Sequence, residues 1–319
     1  MRDWRLVLTA MLCAFAASSW GQAFPERPLR IIVAFTSGTA ADIVARQIAI
    51  KLTDGLGKQV VVENRDGASG TIGAAIAAHA TPDGHTMLIA SPSIVVSPLL
   101  IKGLTYDVFR DFAPVSTIAI FPTVLVVGAQ TKANTVKELI DHAKANPGKL
   151  NYGTAGRGSA SHLSAELMRS MTGIDIVEVP YRVTAQALAD TITGQVAIYF
   201  PNLAAALPNI KAGRLKALAV TGARRTQAAP EIPALAETLP GYEAASWYGI
   251  VVPARTPKPV VGRLHAELTR AVQMPDVQQR FLGLGGDIVG GSPDNLGRMM
   301  RGGAQKWSKL VREIEAQGR

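Results

Sequence analysis

The sequence predicts an α/β protein of two lobes, each a mostly parallel sheet flanked by helices. Two observations carry that prediction. Short β-branched runs alternate with segments of helical periodicity, and the alternation runs twice, with a change near Phe121-Pro122-Thr123. No Gly/Ser-rich linker separates the two runs, so strands that cross over must join the lobes.

Residues 29–35 form an apolar run that reads as a strand. Ile43, Val44, Ile48 and Leu52 then recur at helical spacing, and the pattern stops at Gly55 and Gly57. Residues 59–63 are a β-branched strand, followed by Gly67-Ala-Ser-Gly70 and a small-residue helix through Ala80. Pro82-Asp83-Gly84 is a turn and 86–90 a buried strand, completing a βαβαβ opening. Residues 124–127 form a further strand. Thr135 and Glu138 fit a capping box for a helix to about Ala145. The alternation restarts with a strand at 150–154, a helix from Ser159, a strand at 176–179, a helix from Thr184 and a strand at 196–200. A helix to Lys211, a strand at 216–220, a connection through Pro230, Pro233 and Pro240, and a strand at 247–252 come next. Three helical segments close the chain, the last capped by Ser292 with Pro293 in its first turn.

Arg2 and Arg5 precede an apolar run over 6–17 that is too short to span a bilayer, and small residues at 19, 21 and 23 offer cleavage after about residue 21 or 23. Residues 1–23 are therefore expected to be a cleaved signal peptide. Cys13, the single cysteine, would leave with it, and the mature chain would have no disulfide, thiol nucleophile or cysteine metal site. The net charge of +9 falls to about +8 without Arg2, Asp3 and Arg5. The cations are scattered and aromatics do not alternate with them, which argues against nucleic acid. The five histidines show no zinc-like spacing, and no metal or cofactor is expected.

Two turns carry the functional signal. In Val33-Ala-Phe-Thr-Ser-Gly-Thr-Ala-Ala-Asp-Ile-Val-Ala-Arg46 a strand passes into a helix through small residues. Such a turn directs backbone N–H groups and the positive end of a helix dipole at one spot, which suits a carboxylate or phosphate. Asn151-Tyr-Gly-Thr-Ala-Gly-Arg-Gly-Ser-Ala-Ser-His162 repeats the arrangement. No Gly-Lys-Ser/Thr follows it, which excludes a P-loop. Adjacent Ser161 and His162 would point about 100° apart on a helix, so they form no nucleophile–base pair, and His162 reads as structural.

The chain resembles the substrate-binding proteins of tripartite tricarboxylate transporters, the Bug family of Bordetella-like bacteria. The resemblance rests on Pro28-Leu-Arg-Ile-Ile-Val-Ala-Phe35, Asp42-Ile-Val-Ala-Arg46, Val62-Glu-Asn-Arg-Asp-Gly-Ala68, Gly158-Ser-Ala-Ser-His162, Val179-Pro-Tyr-Arg182, Gly213-Arg-Leu-Lys-Ala-Leu-Ala-Val220 and Ser246-Trp-Tyr-Gly249, in that order from about Phe24 to the C-terminus. It implies a periplasmic-binding-protein fold of type II-like, Venus-flytrap form, with 24–123 and 246–319 in one domain and 124–245 in the other. It also implies a monomer in the Gram-negative periplasm that closes on a small organic acid and delivers it to membrane permease subunits. Mono-, di- and tricarboxylates, amino acids and aromatic acids all remain open as the solute.

The family's first turn usually reads Pro-Phe-x-Pro-Gly-Gly-x-Thr-Asp. Here Gly38 and Asp42 match, while the proline, the second glycine and the threonine do not. The resemblance and the turn chemistry together mark Phe35, Ser37, Gly38, Thr39 and Asp42 in the first turn as ligand-binding candidates. In the second lobe they mark Thr154, Gly156, Ser159, Ser161, Tyr181 and Asn202. Ser37 and Thr39 would either cap the helix or bond a carboxylate. Asp42 would either complement the helix dipole or meet a donor on the ligand. Phe35 would be a cleft wall or core. A sensory subunit reporting to a membrane kinase is the alternative output. A secreted hydrolase is the remoter one, since the chain lacks a Gly-x-Ser-x-Gly elbow.

Overall fold

The computed structural model describes residues 24–156 and 158–316. The expected signal peptide and Cys13 lie outside the described residues. The strand Leu29–Val33 (β1) is covered on both faces: Ile31 and Val33 pack against Val44, Ile48 and Leu52 of the helix Ala40–Leu56 (α1), and Ile32 enters the core on the other side. Each of these buried aliphatic side chains contributes about 1.5–3 kcal/mol. The helix stops where Gly57 turns left-handed (φ 67°) and its N–H bonds the Thr53 carbonyl.

Val60–Asn64 (β2), Thr71–Ala78 (α2), Thr86–Ala90 (β3), Pro92–Leu100 (α3), the short Val108–Asp111 (α4) and Phe112–Phe121 (β4) complete the first pass. A second pass runs Val124–Gly128 (β5), Val136–Ala145 (α5), Leu150–Thr154 (β6), Ala160–Thr172 (α6), Ile176–Pro180 (β7), Thr184–Thr193 (α7), Ile198–Tyr199 (β8), Leu203–Lys211 (α8) and Leu215–Val220 (β9). Ser246–Pro253 (β10), Lys258–Val272 (α9), Pro275–Gly283 (α10), Asp287–Gly291 (β11) and Pro293–Ala316 (α11) follow.

The strands form two sheets, ordered β11-β4-β10-β3-β1-β2 and β7-β6-β8-β5-β9. Both are mixed, which corrects the expectation of mostly parallel sheets. Only β1–β2 and β1–β3 in the first, and β6–β7 and β6–β8 in the second, are parallel. β10 enters from the second sheet running against its neighbours β3 and β4, and β5 runs against β8 and β9. The sequence reading also lacks β4, whose Pro114, Ser116 and Thr117 interrupt an otherwise apolar run.

Local signals fare better. The Thr135 hydroxyl accepts the Glu138 N–H at 3.1 Å, although the Glu138 carboxylate reaches the Asn134 N–H, one residue beyond the box. Ser292 accepts the Asn295 N–H at 3.2 Å at the start of α11.

The chain crosses between sheets at 121–124 and again between β9 and β10. Thr123 and Thr221 meet at these crossings. Their hydroxyls lie 2.9 Å apart, the Thr221 N–H donates to the Thr123 carbonyl at 2.9 Å, and Ser164 of α6 lies 3.2 Å from the Thr123 hydroxyl. All three residues are buried, so this polar knot is satisfied internally where the crossing segments run side by side. α11 packs on α3 and β4 beside the first sheet and also on α6 beside the second.

Candidate functional site

In the parallel portions of the two sheets, the carboxyl ends of β1 and β3 and those of β6, β7 and β8 open onto turns that lead into helices, the edge where open α/β sheets bind ligands. The β6–α6 turn lies against the later turns of α3: a Cβ placed on Gly158 would sit 3.0 Å from Leu100, the last residue of that helix.

The β1–α1 turn is exposed at Ser37 and Gly38, and Gly38 holds φ 83°, a conformation that favours glycine. Thr39 is the N-cap residue, yet its side chain caps nothing; its hydroxyl donates back to the Thr36 carbonyl at 2.9 Å. The N-terminus of a 17-residue helix is thus left without a side-chain cap at the sheet edge. First-turn N–H groups have no intrahelical acceptor, so an anion is favoured there.

Asp42 is held within the turn. It is 2% exposed, and its carboxylate accepts from the Gly38 N–H (3.0 Å), Arg46 Nε (3.0 Å) and Asn64 Nδ2 (2.9 Å), with the Ser37 hydroxyl at 3.4 Å. Asn64 also donates to the Phe35 carbonyl at 3.0 Å. Burial pushes the Asp42 carboxyl up, but the bonds from Arg46, Gly38 and Asn64 outweigh it and hold the pKa at about 2. Asp42 therefore braces the turn from below. Ser37 remains exposed above it, and Phe35 is half-buried.

The β6–α6 turn is closed on itself. Ser161 accepts the Ala155 N–H at 3.0 Å, Thr154 accepts the Gly156 N–H at 3.1 Å, and Ser159 accepts the His162 N–H at 3.2 Å as N-cap of α6. Thr154 is fully buried and donates to Glu178 at 2.7 Å. The side chains of Thr154 and Ser161 thus shape the turn from beneath. The half-buried Gly156 and Ser159 lie nearer its surface. His162 is buried with Nδ1 3.4 Å from the Gly158 N–H, the structural place read for it. Ser159→Ala removes this cap and is expected to cost about 1 kcal/mol, read as a fall in the urea midpoint at unchanged m-value.

Tyr181 lies beyond β7, but its hydroxyl donates to Asp190 at 2.7 Å, with burial first and that bond second pushing its pKa up to about 12. Its expected hydrogen bond to ligand is therefore already committed within the lobe. Val183, two residues on and 62% exposed, is the apolar group this turn presents to solvent. Asn202, exposed, precedes α8 and makes no side-chain cap.

The sequence reading misses a third turn. Ser91 precedes α3 with no side-chain cap on the helix, and its hydroxyl lies 2.9 Å from that of Ser93. Both line a void of about 10 Å³ with Phe35, Ser69, Gly70 and Tyr106, room for one water. The buried Tyr106 hydroxyl has no hydrogen-bond partner among the described residues, and burial pushes its pKa up to about 12. Ser91-Pro92 is a legible N-cap–N1 pair and signals this turn. The adjoining Ala68 (φ 45°) and Ser69 (φ 55°) are left-handed non-glycine residues, a strained corner under the same void.

A larger open groove, about 430 Å³, lies at the opposite, amino-terminal ends of β1–β3. Its Arg27 and Arg30 already face Asp83 and Glu63. No cluster of metal-ligating side chains occurs among the described residues, and no helix among them is long and apolar enough to cross a membrane.

Residues 44–316 match the family model described as "Tripartite tricarboxylate transporter family receptor". A curated relative from Pseudomonas sp., the UPF0065 protein of the tcbD–tcbE intergenic region, is 38% identical over 97% of this chain and 94% of its own. The adipate-bound Rpa4515 of R. palustris superposes with a TM-score of 0.80 at 35% identity, covering 91% of this chain and 97% of that one. The malate-bound MatC of Rhodopseudomonas palustris superposes with a TM-score of 0.77 at 30% identity, over 90% and 100%. With the family model covering most of the chain and close fold neighbours at these identities, this chain belongs to the tripartite tricarboxylate transporter receptor family, as a solute-binding protein of two α/β lobes.

Proposed function

We propose that this receptor captures a small organic acid between its lobes, with a carboxylate on the uncapped N-terminus of α1. Ser37, Gly38 and Thr39 would form the first-lobe cradle with Ser91 and Ser93 beside it. Gly156, Ser159 and Asn202 would face it from the second lobe, and Phe35 and Val183 would border the apolar part of the solute. The adipate and malate held by relatives support a carboxylate-bearing ligand. The uncapped α1 terminus at the sheet edge is the observation that carries the reading. Residues 24–123 with 246–319 would move against 124–245 about the Thr123–Thr221 knot. The acid would stabilise the closed arrangement through its greater affinity for it. No chemistry is done on the solute. After export by the signal peptide over 1–23, the loaded monomer would pass it to the transporter's membrane subunits.

Thermal shifts of protein refolded free of carried-over solute test this against a panel of mono-, di- and tricarboxylates, amino acids and aromatic acids. A binder at a hundredfold excess over its Kd adds about 2.7 kcal/mol of stability and a saturable rise in Tm. Flat melting curves across the panel would refute acid capture.

A further inference from the structure

The outer face of α11 carries a second, unassigned surface. Its buried side is apolar, through Leu296, Met300, Trp307, Leu310 and Val311. Its exposed side reads Arg298, Arg301, Gln305, Lys309 and Arg312, spaced three or four residues apart and therefore on one line, with the exposed Asp294 one turn before it. The line runs roughly 21 Å at 1.5 Å per residue. None of its four cations has an ion pair among the described residues.

Exposed cations elsewhere are divided: Arg27, Arg65, Lys137 and Arg225 each face a carboxylate, whereas Lys58, Arg182 and Arg255 have no ion pair among the described residues. What sets α11 apart is that four such cations fall in line on one helix face. On α11, Arg298–Arg301 and Lys309–Arg312 are like charges at i,i+3, an arrangement that weakens a helix by a few tenths of a kcal/mol per pair. A merely solvated face gains nothing from this pattern, whereas an acidic partner would be steered and registered by it.

We infer that this stripe docks an acidic surface of a protein partner, which on the proposed function is the receptor's membrane transporter. A protein is favoured over lipid because the helix's apolar side is already buried and no large apolar side chain flanks the cations for insertion. A single line of charge also matches a ridge or helix better than a plane. Since α11 packs on elements of both sheets, a partner seated there touches the element that bridges the lobes.

The test places a photo-crosslinking amino acid at Gln305, and as a control at the exposed Val177, in the full chain expressed with epitope-tagged permease subunits of its transporter. Crosslinking to a permease subunit is expected from 305 and not from 177. It should fall about tenfold in the Arg298→Glu/Arg301→Glu/Lys309→Glu/Arg312→Glu protein and at high salt. The milder pairs R298Q/R301Q and K309Q/R312Q, with circular dichroism, guard against misfolding and should give partial losses. No crosslink from 305, or one indifferent to charge reversal, overturns the inference. Sedimentation with phosphatidylglycerol vesicles but not phosphatidylcholine ones, with no permease crosslink, reassigns the stripe to lipid and also overturns it. The thermal-shift panel reads solute capture separately, so failure of docking and failure of the proposed function are distinguishable.

Discussion

Glu166→Ala is expected to destabilise the protein by about 3–5 kcal/mol, the largest effect of any single substitution proposed here. Glu166 of α6 accepts from both the Tyr152 hydroxyl of β6 and the Arg169 guanidinium one turn on. The side chains of Glu166 and Arg169 are only 5% and 9% exposed, so water cannot take over when one partner is removed. Arg169 would be left as a buried, unpaired cation, and Tyr152, already pushed well above the ordinary phenol range by burial and by the Glu166 carboxylate, would lose its acceptor. Because the pair's own attraction is largely offset by desolvation, Glu166→Leu with Arg169→Met should recover much of the loss. Urea unfolding of the two singles and the double gives the coupling. Equal losses for single and double variants would show that packing, not charge pairing, holds α6 on β6.

Asp42→Ala is expected to cost about 2–3 kcal/mol. The loss comes from the Gly38 N–H and the half-buried Asn64 amide, which lose their charged acceptor. Arg46 contributes less, since its side chain is about half exposed and can be hydrated. The pH dependence has a definite sign. The folded pKa, about 2, lies below the ordinary value of 3.8, so this stabilisation is present above pH 4 and is lost as pH falls from about 4 through 2. The wild type should therefore lose about 2 kcal/mol more than Asp42→Asn over that interval, measured by urea midpoints at fixed ionic strength. An Asp42→Ala protein that melts like wild type but fails to bind would return the carboxylate to the cleft.

These two carboxylates show what the sequence discloses and what it hides. Caps at Thr135, Ser159 and Ser292 are legible because donor and acceptor lie three residues apart. The two-lobed alternation is legible because buried strands need β-branched runs. Asp42's position in a first helical turn is equally visible. Its third partner, Asn64, lies 22 residues away across a strand pairing, and that contact ties the carboxylate into the turn. Tyr181 is drawn aside in the same way by Asp190, from the next helix. The direction of β10 and β5 depends on how the chain re-enters each sheet, information held in no local window. Ser91-Pro92 lay within reach, since it has the same N-cap logic as the other turns.

The most direct test of a carboxylate seated on the α1 terminus is calorimetric titration of the refolded receptor with the acid selected by thermal shift, against its neutral carboxamide of the same shape. The acid should bind, and the amide should bind about a hundredfold more weakly, because backbone donors and a helix dipole favour the charged form. Equal affinity for acid and amide would contradict anion recognition at this terminus.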